Sequence, residues 1–351
     1  MNKLLTKISA IALVTGMMGM TGAWQSAVAA PSGIDFATYT GPDRNELLVA
    51  AAKKEGEVSV YQAYPALSVV EAAFTKKYGI KVKSWRADSE TILQRVVTEA
   101  RGGRNEVDIV QNNSPEQEGL HREKLLQEVK SPYLADMIPE AFPTHREWVG
   151  LTQDIWIAAY NSEKVKKEDL PKTYEDLLDP KWKGRLAVEA NDYAWFGNLV
   201  AAMGDQKARK LFADLVANNG MSFRKGHSLL AALIASGEVP IGLSVYSWSV
   251  APLKKKGAPI EPLLLQPVLA EFSALAMIKK APHPAAAVLF YDFLFSEGQQ
   301  ILSDLYFIPA SKKIKHAFTG VPIKYIDPGL AIDSQDKNKK VYDDVLLKNA
   351  K

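Results

Sequence analysis

The chain carries five histidines, at 121, 145, 227, 283 and 316, and no cysteine. Thiolate metal sites, disulfides and cysteine nucleophiles are therefore excluded. No two histidines stand at metal-ligand spacing. No phosphate-cradling Gly-x-x-x-x-Gly-Lys-Ser/Thr loop, no Gly-x-Gly-x-x-Gly and no Gly-x-Ser-x-Gly elbow occurs. Paired carboxylates such as Asp343 and Asp344 are common on surfaces and identify no acid–base couple. What stands out instead is a set of hydrogen-bonding and aromatic residues gathered in a few loops. Tyr64, Arg86, Ser89, Asn112, Asn113 and Ser114 lie in the first half; Tyr193, Trp195, His227, Ser228, Tyr246 and Trp248 lie in the second. Such residues recognise a small solute; they do not break one down. The expectation is a binding site, no catalytic residue and no cofactor.

The elements that must hold these loops follow from periodicity. Strand patterns at 57–61, 80–85 and 107–111 alternate with amphipathic helices. Ser68-x-x-Glu71 has the form of a capping box opening a helix that stops at Gly79. Asp88 and Ser89 precede a second helix, and Ser114-Pro115-Glu116-Gln117 opens a third. The same alternation resumes with strands at 185–189, 239–245 and 275–278, and with helices at 196–203, 229–235 and 284–295. Repeated strand–helix–strand units predict an α/β fold with mostly parallel sheets, whose ligand lies beyond the carboxyl ends of the strands. All twelve residues named above fall at or near such ends. Ser89, Ser114 and Ser228 also stand at helix N-termini, where free N–H groups favour an anion.

At 351 residues, 47% apolar and 24% charged, the chain is long enough for two globular domains. A net charge of +3 is too small for a nucleic-acid binder. Lys3 and Lys7, the apolar stretch 8–20 and Ala27-Val28-Ala29 read as a cleaved export signal over residues 1–29. No later run reaches the ~18 apolar residues of a membrane helix.

An ordered series of motifs gives the chain a family likeness. They are Glu55–Tyr61, Phe74–Ile80, Tyr160–Val165, Leu170–Gly184 with its Lys-Thr-Tyr-Glu-Asp-Leu-Leu-Asp-Pro-Lys-Trp-Lys-Gly run, Ser236–Gly242 and His283–Gln299. Over roughly residues 45 to 310 the sequence resembles the periplasmic substrate-binding proteins of ABC importers, in the branch that includes the ferric-ion-binding proteins. The resemblance implies a two-lobed, type II-like periplasmic binding fold with the ligand cleft between lobes. The expected limits are residues 30–153 and 269–305 for lobe 1 and 154–268 for lobe 2, with 306–351 packing on lobe 2. Crossovers are expected near Leu151–Ala159 and Pro267–Ser273. The resemblance also implies a periplasmic monomer that delivers a small-molecule solute to permease subunits in the inner membrane.

The ligand does not carry over. Iron-binding relatives place adjacent tyrosines where this chain reads Val245-Tyr246-Ser247-Trp248, so only Tyr246 remains as a metal donor there. The main expectation is a small organic, anionic solute, fixed by Arg86 and the helix N-termini and covered by Trp195, Tyr246 and Trp248. Ferric iron or an iron chelate is the alternative, and a secreted α/β hydrolase is the third reading.

Overall fold

The structure is a computed structural model that describes residues 34–349; the export signal read over residues 1–29 lies outside them. In chain order the elements are α1 (Arg44–Glu55), β1 (Glu57–Gln62), α2 (Leu67–Tyr78), β2 (Lys81–Arg86), α3 (Ser89–Arg101), β3 (Ile109–Asn113), α4 (Ser114–Arg122), β4 (Leu126–Gln127) and β5 (Trp148–Asn161). They continue with β6 (Leu186–Glu189), α5 (Tyr193–Met203), α6 (Asp205–Asn219), β7 (Ser222–Arg224), α7 (His227–Ser236), β8 (Ile241–Tyr246) and α8 (Ser247–Lys255). The last are β9 (Ile260–Leu263), β10 (Val268–Ile278), α9 (Pro284–Phe295), α10 (Glu297–Asp304), β11 (Ile308–Pro309), β12 (Ile323–Tyr325), α11 (Pro328–Asp333) and α12 (Gln335–Tyr342).

The strands run in the order β2-β1-β3-β10-β5-β8-β6-β7. At one end β2, β1 and β3 pair in parallel, and at the other β6 is parallel to both β7 and β8. Between them β10 and β5 pair antiparallel, from Leu269 opposite Trp156 to Ala276 opposite Trp148. Every residue of β5 and β10 is buried. The two strands pass through both halves of the molecule. One core gathers Val58, Phe74, Ile109, Leu151, Phe272 and Phe290, and a second gathers Trp156, Trp182, Phe196, Phe212, Leu269 and Tyr342. Each core belongs to one α/β lobe, and the segment after β12 contributes Ala331, Val341 and Leu346 to the second. Continuous paired strands, not loose tethers, join the lobes, which suits hinge closure.

Local chemistry explains most element ends. Gly79 ends α2 at φ 73°, a conformation that glycine adopts without a Cβ penalty. The Asp88 carboxylate accepts the Thr91 N–H at 2.9 Å and caps α3. The capping box read at Ser68 and Glu71 does not form. Helix α2 already begins at Leu67, so Ser68 sits within its first turn. Glu71 instead turns inward and accepts the Ser84 hydroxyl at 2.8 Å.

Candidate functional site

The carboxyl ends of β3, β6 and β8 open on one cavity of about 300 Å³ between the lobes. Lobe 1 brings Asn113, Pro115 and Glu116, and lobe 2 brings Trp156, Glu189, Asn191, Asp192, Tyr193, His227 and Tyr246. The crossing strand β10 adds Glu271, and the C-terminal segment adds Ile332, Gln335 and Asn338.

Glu271 joins the two sides. Its Oε1 accepts the Tyr246 hydroxyl at 2.8 Å and the Asn113 amide at 3.0 Å. Glu189 ends β6, where its carboxylate accepts the N–H groups of Asn191 at 2.6 Å and Gly226 at 2.8 Å, locking its side chain. Asp192 precedes α5. Its Oδ1 accepts the Trp156 indole N–H at 3.0 Å, while its Oδ2 is buried without a partner. His227 opens α7, its Nδ1 facing the Ser244 carbonyl at 3.3 Å and its ring 4.1 Å from that of Tyr246. Glu189, Asp192 and His227 each bring a donor atom within 4.8 Å of the other two.

Burial sets the protonation of these groups. It lowers His227 to about 4, so the imidazole is neutral at pH 7 and can offer a nitrogen lone pair. Burial, reinforced by neighbouring carboxylates, holds Glu271 and Asp192 well above the usual carboxylate range. Glu116 rises to about 7 by burial. The Tyr246 phenol is raised by burial and by the charge of Glu271. Behind this wall lies Asp154, raised to about 7 by burial although the Tyr64 hydroxyl donates to it at 2.5 Å. Carboxyls that hold protons only because they are buried together release them to a cation.

Of the twelve residues expected from sequence, Asn113, Tyr193, His227 and Tyr246 line the cavity. Tyr64 and Trp248 lie behind it: Trp248 stacks on Tyr246 with centroids 5.6 Å apart, and Tyr64 meets Trp248 edge-on at 6.1 Å. The Ser89 hydroxyl accepts the Asn113 N–H at 3.1 Å and so positions a lining residue. The others do not reach the cavity. Asn112 is fully buried and, next to Asn113 on β3, faces the other side of the sheet. Ser114 is buried, with an unpartnered hydroxyl. Trp195 is 2% exposed and packs in the lobe 2 core against Phe196 and Phe212. Ser228 is exposed on α7. Arg86 is exposed at the end of β2, outside the cavity.

The position of Arg86 corrects the expected electrostatics. Among the described residues no lysine or arginine lines the cavity, whereas Glu116, Glu189, Asp192 and Glu271 do. An anionic solute would find no lysine or arginine there to pair with. Sequence reading missed these acids, although Glu189 and Glu271 are each the lone charged residue of a mostly apolar strand. A lone acid at such a position is rarely buried without a task.

A family model described as bacterial extracellular solute-binding protein matches residues 70–321, well over half of the chain. The chain belongs to that family. The binding protein is 27% identical over 270 residues to "Iron uptake protein A1" of Synechocystis sp., covering 70% of this chain and 73% of the relative. It is 27% identical over 273 residues to the "Major ferric iron-binding protein" of Neisseria meningitidis serogroup B, covering 73% and 81%. Iron-bound HitA from Pseudomonas aeruginosa superposes with a TM-score of 0.70 at 23% identity, over 82% of this chain and 99% of that one. AfuA from Actinobacillus pleuropneumoniae, with fructose-6-phosphate bound, superposes with a TM-score of 0.70 at 22% identity, over 84% and 99%. The two-lobed periplasmic binding fold is thus shared by proteins with unlike ligands, and the cavity's own residues must argue for the cargo.

Proposed function

We propose that this binding protein captures a cation in the cleft, namely ferric iron or a ferric chelate, and hands it in the periplasm to an ABC permease. The observation that carries the reading is the cluster of Glu189, Asp192 and His227, with Tyr246 and Glu271 in the same cavity and, among the described residues, no lysine or arginine lining it. Ferric iron is hard and highly charged and prefers several oxygen donors. A single phenol is a poor set, but the cluster adds two carboxylates and an imidazole beside it. The cavity of about 300 Å³ has room well beyond a bare ion, which suits iron carried with a small organic ligand. The names of the curated relatives support the same cargo.

A second reading rests on the aromatic wall. Trp156 and Tyr246, 5.4 Å apart, stand beside Asp192 and Glu271, an arrangement that also suits a small organic cation. Titration of the purified chain with Fe(III) held by a weak chelator separates the two. One equivalent bound, with a visible tyrosinate-to-iron band that Tyr246→Phe abolishes, supports iron. Lack of uptake, together with stabilisation by amines, would replace iron with the organic cation.

A further inference from the structure

The C-terminal segment belongs to the second core through Ile326, Ala331 and Tyr342, yet it touches lobe 1. Arg122 of α4 forms a forked pair with Asp333 of α11 and also reaches the Gly329 carbonyl at 3.3 Å. Beside this pair, Ile332 seats on Gly119. A Cβ added at Gly119 would lie 2.9 Å from Ile332 Cδ1 and 3.1 Å from a Leu93 methyl. Gly119 stands inside α4, where glycine is among the poorest helix formers. The close approach of the C-terminal segment accounts for it. From the same segment Ile332, Gln335 and Asn338 line the cavity.

We propose that residues 326–342 form a strap that completes the solute site, with Ile332, Gln335 and Asn338 as solute-facing residues, and that fastens lobe 2 to lobe 1 when the cleft is closed. The strap rides with lobe 2, so opening the cleft separates Ile332 from Gly119 and Asp333 from Arg122. A surface ion pair alone contributes little, and the apolar seat on Gly119 carries most of the hold. Gln335 and Asn338 present neutral amides, which suit the polar, uncharged side of a cargo whose positive centre faces Asp192 and Glu271. Release of solute then requires the strap to detach, so the strap governs the dissociation rate more than the encounter.

The strap's solute-facing role rests on the cation reading of the cleft, and its lobe-fastening role does not. The absence of cysteine allows clean labelling. Spin labels at Lys76→Cys on α2 and Gln206→Cys on α6 report the distance between lobes in the metal-free chain. Ile332→Ala with Asp333→Ala removes contacts from a partly exposed surface and leaves both cores intact, and Gly119→Leu wedges the same seat from the other side. Both variants should shift the distance distribution to longer values and release Fe(III) to a competing chelator roughly ten-fold faster. Unchanged distances with unchanged release would overturn the strap. Shifted distances in a chain that takes up no Fe(III) would instead overturn the iron reading and leave the lobe-fastening role standing.

Discussion

Asp154→Asn should stabilise the protein more strongly at pH 8 than at pH 5. Asp154 is 2% exposed, lies outside the cation cluster and sits at about 7 in the folded chain, against 3.8 for an unperturbed group. Between those values the unfolded chain has lost the proton and the folded chain keeps it. Stability therefore falls as pH rises from about 4 to 7 and levels off above. Integrating the linkage from pH 5 to pH 8 with these two values yields a loss on the order of 2–3 kcal/mol from this group alone. Asparagine keeps the shape and still accepts the Tyr64 hydroxyl, but carries no proton to lose. Urea unfolding at the two pH values, without metal, measures the difference. The variant's advantage over the parent should grow by about 2 kcal/mol or more from pH 5 to pH 8. An advantage that is the same at both values would refute a carboxyl held protonated by burial.

Iron uptake should weaken from pH 8 to pH 6, because protons compete with the cation for the raised carboxyls of Asp192 and Glu271 and because Glu116 protonates near 7; equilibrium competition with a chelator of known pH dependence checks this. Asp192→Asn should weaken Fe(III) binding at least ten-fold with a melting temperature no lower than the parent's, and Arg86→Ala should leave affinity unaltered; titration of both variants would expose an error in the cavity's assignment. Trp195→Ala should cost about 3–5 kcal/mol of stability while the protein that remains folded keeps its affinity, as judged by unfolding and binding measured together.

The alternation of strand and helix, the glycine stop at Gly79 and the Asp88 cap were legible because each depends on neighbours a few residues away. The two-lobe architecture was legible through the family likeness. The long strands β5 and β10 were less so. Buried on both faces, they lack the alternation that marks a half-exposed strand, and only Leu275–Ile278 stood out.

The site divided in the same way. Asn113, Tyr193, His227 and Tyr246 could be named from sequence, because strand ends and helix starts are local features and such loops converge in this fold. Trp195 could not be told from a lining aromatic, since the face a helix residue presents depends on what packs against it. The sign of the cavity was beyond sequence altogether. Arg86 and Glu271 are 185 positions apart, and only the crossing of β10 between the lobes brings Glu271 beside Tyr246 while leaving Arg86 in solvent. Local pattern determined which segments become strands and helices. Long-range pairing decided which charges share one buried space, and in a low-dielectric cavity that choice selects the cargo.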